Sequence, residues 1–417
     1  GNQALVRLVL QQRIRDAKAG LNTAGFISGY RGSPLGRLDM ELWSIDKLLK
    51  QQQIHFQPGV NEDLAATAVW GTQHVPSMAG ARFEGVFGVW YGKGPGVDRS
   101  GDVLKHANAA GVARLGGVLA LAGDDHAAKS STQAHQSEQA FIAAGSAVLC
   151  PSSVQEIIDF GLIGIAMSRY AGCWVALKLV TDVVEGASSV YVGPDSPILD
   201  IPSEPSGESG ANRYIQRYVP PPQQEAMLYN VRLPLALEFA RRNGVNKIVG
   251  ATQGARLGIV STGKSWADTE QALVRLEREG AGLDRARIRL LKVGMVWPLD
   301  ADIVNEFADG LERILVIEEK RPVVEDQLKA ILFDRPGPRP AVTGKFAAAS
   351  AWSSSRGAAG VSMVGELSPP VIAEHIAAWA GLQRPTAVPS LPHGVLSGPA
   401  IDRVPTFCSG CPHRTST

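Results

Sequence analysis

Four cysteines in 417 residues, at positions 150, 173, 408 and 411, are too few and too unevenly spaced for a disulfide framework. Cys150 and Cys173 adjoin apolar runs, where a buried free thiol is the plain expectation. An excess of one charge is also missing: 41 Lys and Arg against 40 Asp and Glu leave a formal net charge of +1. That balance carries neither the basic footprint of a nucleic-acid binder nor a surface built for acidic partners. No apolar run approaches the ~18 residues needed to span a bilayer. The opening GNQALVRLVLQQRIRD is charged and helical in pattern, so it reads as no signal peptide. It also lacks an initiator Met, and with the abrupt end this predicts a segment of a longer chain, cytoplasmic by default. There is no internal repeat.

What is present is a chain long enough for two or three domains, each with its own core. Its 45 Gly and 26 Pro announce many tight turns. Short apolar segments bounded by Gly or Pro (AGFISGY, EGVFGVWYG, GGVLALAG, SAVLCP and CWVALKLV) read as buried parallel strands. Between the last two, SSVQEIIDFGLIGIAMSRY reads as a helix, with Ser153 and Glu156 in capping-box spacing. The first unit ends near Asp200, and a Pro-, Ser- and Gly-rich stretch follows as a linker. An Arg-containing helix is expected from about Gln223 to Asn243. A second α/β unit then runs through GIVSTG, DTEQALVRLEREG, RIRLLKVG, DADIVNEFADG, RILVIEE and PVVEDQLKAIL. Its helices are expected to start acidic, and the first two to end at Gly280 and Gly310. The chain past Arg335 is Pro/Gly/Ala-rich, with one helix in PPVIAEHIAAWAG.

Several stretches carry chemistry-bearing residues. Gly258 to Ser265 is a literal G-x-x-x-x-G-K-[ST], and RILVIEE offers Glu318 and Glu319 like a Walker B strand. A phosphate loop needs a strand before the first glycine, whereas Ile-Val-Ser-Thr between the glycines are themselves strand formers. The pattern therefore reads as a strand with a chance motif. GYRGSPLG follows a strand directly, where open α/β sheets bind ligands. Arg31 there suits a carboxylate or phosphate, Ser33 a hydrogen bond to it, and a plain connecting turn is the competing reading. In GVNEDLAATAVWG, Asn61 reads as an N-cap, and Glu62 and Asp63 suit the positive end of the helix it opens. Glu62 also abuts an Ala-rich helix that must pack closely, where a carboxyl would share a proton readily. YGKGPGVDRSGD with KHANAAG, and GDDHAAKSSTQAHQSE, both follow strands and point to a shared cleft at the strand ends. Trp43, Trp70 and Trp90 hint at an aromatic pocket or belong to plain core. Cys408 and Cys411 form a C-x-x-C beside Pro412 and His413, fit for zinc, thiol exchange or an iron–sulfur cluster.

Taken together, GYRGSPLG, FQPGVNEDLAATAVWGTQ, WYGKGPGVDRSGD, GGVLALAGDDHAAKSSTQAHQSE, KVGMVWPLD, VIEEKRPVVEDQLK and FCSGCPH resemble one family, block after block. It is that of the thiamine diphosphate-dependent 2-oxoacid:ferredoxin oxidoreductases, in particular the long fused indolepyruvate ferredoxin oxidoreductase branch. The resemblance implies an α/β chain: a parallel-sheet, pyrimidine-type thiamine-binding domain at 1–205, then a linker and helix at 206–250. A transketolase C-terminal-like α/β domain would occupy 251–390, and 391–417 would begin a diphosphate-binding, iron–sulfur domain.

It also implies oxidative decarboxylation of a 2-oxoacid, with indolepyruvate or another aryl pyruvate suggested, to its acyl-coenzyme A. The electrons would pass through a [4Fe–4S] cluster to ferredoxin. Thiamine diphosphate, Mg²⁺ and the cluster are the implied cofactors. The remaining domains of the same enzyme and a homodimer partner are implied too, with no nucleic acid or membrane. Glu62 matches the glutamate that hydrogen-bonds the pyrimidine N1′, favouring the tautomer that removes the thiazolium C2 proton. Cys408 and Cys411 match the first two cluster ligands. Ser33 sits where the family usually has Thr near the substrate, and Arg31 replaces a proline of that pattern. Lys105, His106 and Asn108 match a K-H-x-x-x-N-like block loosely, and Asp124, Asp125, Ser130 and Ser131 match a D-D…S-S block at the active-site mouth. Two further classes stay open: a non-redox thiamine decarboxylase or transferase with structural zinc, and a P-loop nucleotide-binding protein.

Overall fold

A computed structural model describes residues 1–131, 133–193, 195–205, 210, 212–251, 254–346 and 360–383. The strands among them are β1 (Thr23–Gly29), β2 (Ile54–Phe56), β3 (Gly85–Lys93), β4 (Val118–Asp124), β5 (Ala147–Leu149) and β6 (Trp174–Val180). There follow β7 (Lys247–Gly250), β8 (Leu257–Thr262), β9 (Ile288–Val293), β10 (Met295–Trp297), β11 (Arg313–Ile317) and β12 (Ala341–Thr343). They form a seven-stranded sheet in the order β10-β5-β6-β4-β3-β1-β2 and a five-stranded sheet in the order β12-β11-β8-β9-β7. Two units result. Of the described residues, one holds those within 1–125, 135–247 and 293–300, and the other those within 126–134, 248–292 and 301–383.

The first sheet is parallel except at β10, which runs antiparallel to β5. Its central strands are buried along their length, as strands covered on both faces must be, and this explains their unbroken apolar runs. Side chains alternate along β3. Phe87, Val89 and Tyr91 enter the main core together with Leu5 and Leu8 of the helix Asn2–Lys18 and with helix Val154–Ala171. On the opposite face Gly88, Trp90 and Gly92 meet the helix Glu62–Thr72. A Cβ at Gly88 would lie 2.7 Å from Val69, and one at Gly92 3.4 Å from Glu62 Cγ. Two glycines thus let the helix lie close on the strand, with its N-terminus at the carboxyl end of the sheet.

Helix Val154–Ala171 starts where its sequence says it should. Ser153 Oγ accepts the Glu156 N–H at 3.2 Å, and Glu156 Oε2 accepts from Ser152 N and Oγ at 2.8 and 2.7 Å. Gly172, at φ +84°, closes it in the left-handed conformation that glycine tolerates. The expected Arg-containing helix is Pro221–Met227 and Leu233–Arg242, joined by a π-turn at Leu228–Arg232. From that turn the Arg232 guanidinium donates to Asn108, Ala109 and Ala110 carbonyls, satisfying the end of helix Gly101–Ala110. Burial pulls its pKa down to about 10.

In the second unit, β8, β9 and β11 share a core with helices Lys264–Arg278 and Pro369–Ala380 through Ile259, Leu273, Leu290, Ile317 and Ile376. The first of these helices begins at Lys264, earlier than DTEQ predicts, and has no acidic residue in its first turn. Gly263, at φ +51°, makes the sharp turn out of β8 and allows the early start. Helix ends near Gly280 and Gly310 agree with expectation, both glycines being left-handed. Segment 293–300, which lies within the 251–390 range in sequence, belongs to the first unit, where β10 extends the sheet. No helix of the described residues is long and apolar enough to cross a membrane.

Candidate functional site

The loops after β1, β3 and β4 converge at the carboxyl end of the first sheet. Pro34 and Leu35 pack on the end of β4, where a Cβ at Gly123 would lie 3.0 Å from each. The Lys93 stem lies on Gly32, leaving 2.8 Å to a Cβ there. Arg31 is exposed and Ser33 half-buried in this turn. Beneath it Asp39 and Tyr91 are buried, and burial is the main force raising both pKa values, the Asp39 charge adding to the rise at Tyr91. Neither was legible as a site residue.

Glu62 is the first helical residue after its Asn61 cap, whose side chain accepts the Leu64 N–H at 3.0 Å. It is fully buried, with 0% exposure, which an ordinary first-turn carboxylate does not show. Three things hold it. The Trp90 indole N–H donates to the Glu62 carbonyl at 2.9 Å. Gly92 lies under the Trp90 ring, 2.9 Å from where a Cβ would stand, with Glu62 Cγ at ordinary contact distance, and Gly96 of the helix Gly94–Arg99 leaves room for the Glu62 carboxyl. A Cβ at Gly96 would stand 2.5 Å from Cγ and 2.6 Å from Oε1. Asp63 beside it is tied to the same helix, its Oδ1 accepting from Arg99 Nε at 2.8 Å. That hydrogen bond holds the Arg99 pKa above its ordinary value.

A second group lies at the ends of β4 and β6. Asp124 is fully buried and accepts the Ser137 N–H at 2.8 Å and its hydroxyl at 2.5 Å. Lys178 Nζ donates to Glu138 Oε1 at 2.6 Å and stands 3.8 Å from Asp124 Oδ2. Burial opposes the ammonium, but Glu138 and then Asp124 outweigh it and raise the Lys178 pKa. His135 places Nε2 2.8 Å from Asp98 Oδ2 and Nδ1 3.6 Å from Asp124 Oδ1. Burial disfavours its charged form, yet the two carboxylates raise its pKa.

The other sequence candidates fall in varied surroundings. Asp125 is buried, and its carbonyl accepts the His135 N–H at 3.3 Å. Asn108 is buried with its amide committed, donating to Ala144 O and accepting from Trp174 N, both at 2.8 Å. Lys105 and His106 are exposed on the same helix. Ser130 and Ser131 belong to the second unit, half-buried and buried. Trp90 is core, Trp70 half-buried and Trp43 49% exposed, so the three tryptophans share no one environment. Cys408 and Cys411 lie outside the described residues, and among those described no group of three or more His, Cys, Asp or Glu is set to hold a metal ion. Gly92, Gly96, Asp98 and His135 were missed, and Trp90 was read only as a pocket hint or core; the alternation Gly88-x-Trp90-x-Gly92 was the signal for the close approach of helix and strand.

In the second unit the P-loop-like stretch is strand and helix, not cradle. Gly258 to Thr262 lie in β8, and a Cβ at Gly258 would meet Leu311 at 2.5 Å and Phe307 at 2.7 Å. Lys264 Nζ is committed to Asp268 Oδ2 and the Leu367 carbonyl, each at 2.6 Å. Glu318 accepts the N–H groups of Val323, Val324 and Glu325 at 2.9–3.0 Å, an anion at a helix start. Burial nonetheless pushes its pKa up to about 7.

The pyrimidine-type thiamine domain that the sequence resemblance implies needs a carboxyl held firmly against a ring nitrogen. Glu62 fits that demand: it is buried at the sheet's carboxyl end, in a cradle that any side chain at Gly96 would fill.

Residues 247–382 match the family model of the indolepyruvate oxidoreductase domain. Along its whole length the chain is 26% identical over 420 residues to indolepyruvate oxidoreductase subunit IorA of Pyrococcus abyssi. It is 25% identical over 420 residues, 99% of the chain, to the subunit of the same name from Methanothermobacter thermautotrophicus. It spans 58% of the length of each relative. Its fold is similar to 2-oxoglutarate:ferredoxin oxidoreductase from Magnetococcus marinus. The TM-score is 0.53 at 13% identity, covering 88% of this chain and 64% of that one. A split-gene transketolase gives a TM-score of 0.52 at 13% identity, covering 91% and 99%. Residues 247–382 thus match an indolepyruvate oxidoreductase domain, and the chain as a whole is similar in sequence to IorA subunits and in fold to a 2-oxoacid oxidoreductase and a transketolase.

Proposed function

We propose that this chain is the pyrimidine-side part of a thiamine diphosphate-dependent 2-oxoacid oxidoreductase. The enzyme decarboxylates indolepyruvate or another aryl pyruvate oxidatively, forms the acyl-coenzyme A and delivers electrons through a [4Fe–4S] cluster to ferredoxin. The observation that carries this reading is the fully buried Glu62 carboxyl, packed on Gly96 at the sheet's carboxyl end. The match to IorA along the whole chain supports it. On this reading residues 1–205 form the cofactor-facing domain, 206–250 a linker and helix, 251–390 the transketolase C-terminal-like domain, and 391–417 opens the next. The working enzyme is a cytoplasmic homodimer that also contains Mg²⁺.

Bound thiamine diphosphate supplies a carbon nucleophile and a sink for the electrons left by decarboxylation. Glu62 holds a proton at the pyrimidine nitrogen and releases it as the ring's own base is needed. Trp90 and Gly96 keep its carboxyl in one place, which is what a proton held between two fixed atoms requires. Arg31 and Ser33 bind and orient the substrate carboxylate from the exposed turn after β1. Asp124 and Asp125, with Ser130, Ser131, Lys105, His106 and Asn108, shape the cofactor's surroundings, Asp124 by holding Ser137. Cys408 and Cys411 bind the cluster.

The test is an anaerobic assay of the full-length natural enzyme with thiamine diphosphate, Mg²⁺, coenzyme A and indolepyruvate. Substrate should bleach the iron–sulfur absorption and reduce ferredoxin, and Glu62→Gln should cut turnover by about 10²–10⁴-fold. A colourless, zinc-containing protein that releases CO₂ without reducing an acceptor overturns the reading in favour of a non-redox thiamine enzyme.

A further inference from the structure

We propose that His135 is a positioning residue for Glu62, acting through the short helix Gly94–Arg99. Three contacts on the helix carry the inference. Gly96 packs directly on the Glu62 carboxyl, so wherever this helix goes the wall of the carboxyl's cradle goes with it. At the C-terminal end Asp98 Oδ2 meets His135 Nε2 at 2.8 Å, beside Arg99 on Asp63. At the N-terminal end the His135 ring lies on the Gly94 backbone, where a Cβ would stand 2.0 Å from Nδ1.

Behind His135 stands a buried carboxylate at ion-pair distance, 3.6 Å, rather than in a hydrogen bond. The His135 Nδ1 faces Asp124, which is buried at the end of β4, locked to Ser137, and 3.8 Å from Lys178. The imidazole therefore spans from the end of the central strand β4 to the six-residue helix Gly94–Arg99. Its side chain is 12% exposed while Asp98 is 63% exposed, so the histidine joins a buried carboxylate to a surface one. An imidazole with an N–H on each nitrogen can serve both carboxylates at once. Neither Lys nor Arg has a flat ring that would lie on Gly94 in the same way.

The consequence for catalysis rests on the reading of Glu62 given above; the clamp does not. Both are separable by amide hydrogen exchange and cofactor titration of the full-length enzyme, in wild type, His135→Ala, His135→Gln and Asp98→Asn. Loss of a charge-assisted hydrogen bond should speed exchange in 94–101 and 61–66 by about tenfold or more in His135→Ala. Peptides of β4 and β6 should keep wild-type protection. Asp98→Asn should reproduce this pattern, and His135→Gln, which retains an N–H donor, should recover most of the protection. Thiamine diphosphate should bind about tenfold more weakly to His135→Ala, with kcat falling more than the KM for indolepyruvate rises. Unchanged exchange at 94–101 and 61–66 overturns the clamp, as does a rise spread evenly over the first unit in both His135 variants. Failure of the wild-type enzyme to bind thiamine diphosphate, with the exchange pattern as expected, overturns the proposed function and leaves the clamp supported.

Discussion

At the scale of single residues, absence of a side chain matters as much as presence. The Glu62 carboxyl packs on Gly96, which comes from a short helix more than thirty residues further along and where a side chain would not fit. Gly96→Ala places a methyl 2.6 Å from Glu62 Oε1 in a helix that otherwise accepts alanine readily. The carboxyl must move, and a displacement near 1 Å costs on the order of 10²-fold in rate. Overpacking itself costs only about 1–3 kcal/mol. Steady-state assays beside a thermal melt should therefore show a large loss of turnover with the fold retained; wild-type turnover would mean the cradle has slack. Sequence alone singled out Glu62 as a carboxylate at a helix start in apolar company. It was silent on Gly96 and on the contact of Trp90 with Glu62, because contacts between elements this far apart leave no periodic trace.

At the scale of elements, local chemistry was highly legible. Serines 152 and 153 with Glu156 open the helix Val154–Ala171, and Gly172 closes it, as the spacing of those residues predicts. Ser153→Ala removes the acceptor for the Glu156 N–H and should cost about 1 kcal/mol of stability, seen as a lower denaturant midpoint with an unchanged m-value. A loss below a few tenths would show that Glu156 and Ser152 suffice. Where local signals failed, backbone geometry intervened. The helix at Lys264 starts without an acidic turn because Gly263 at φ +51° turns the chain directly out of β8. G-x-x-x-x-G-K-S, read as motif, promises a phosphate cradle; read as a strand packed on Phe307 and Leu311, it is sheet.

At the scale of the whole molecule, two α/β units account for the many buried strands, and the two described cysteines, Cys150 and Cys173, lie buried as thiols in the first of them. Cys173 is fully buried, and burial pushes its thiol up to about 12. The folded thiol thus stays protonated while an unfolded one ionises from about 9, so Cys173 favours unfolding as pH rises through that window. In a Cys408→Ser/Cys411→Ser background, neither Cys173 nor the 5%-exposed Cys150 should react with a thiol reagent at pH 8 until denaturant unfolds the first unit. Fast native reaction of Cys173 would contradict that burial.

By itself the sequence determined the α/β class and most strand and helix positions, and singled out Glu62 as a candidate, since these follow from period, capping and apolar runs close in the chain. Tertiary structure decided what lies around Glu62 and which unit each segment joins. Met295–Trp297 pairs with β5 although some 145 residues separate them, and His135 reaches Asp98 from beyond β4. Such pairings are set by which surfaces bury one another after the chain has folded back, and burial of that kind is non-directional and nowhere written in local spacing.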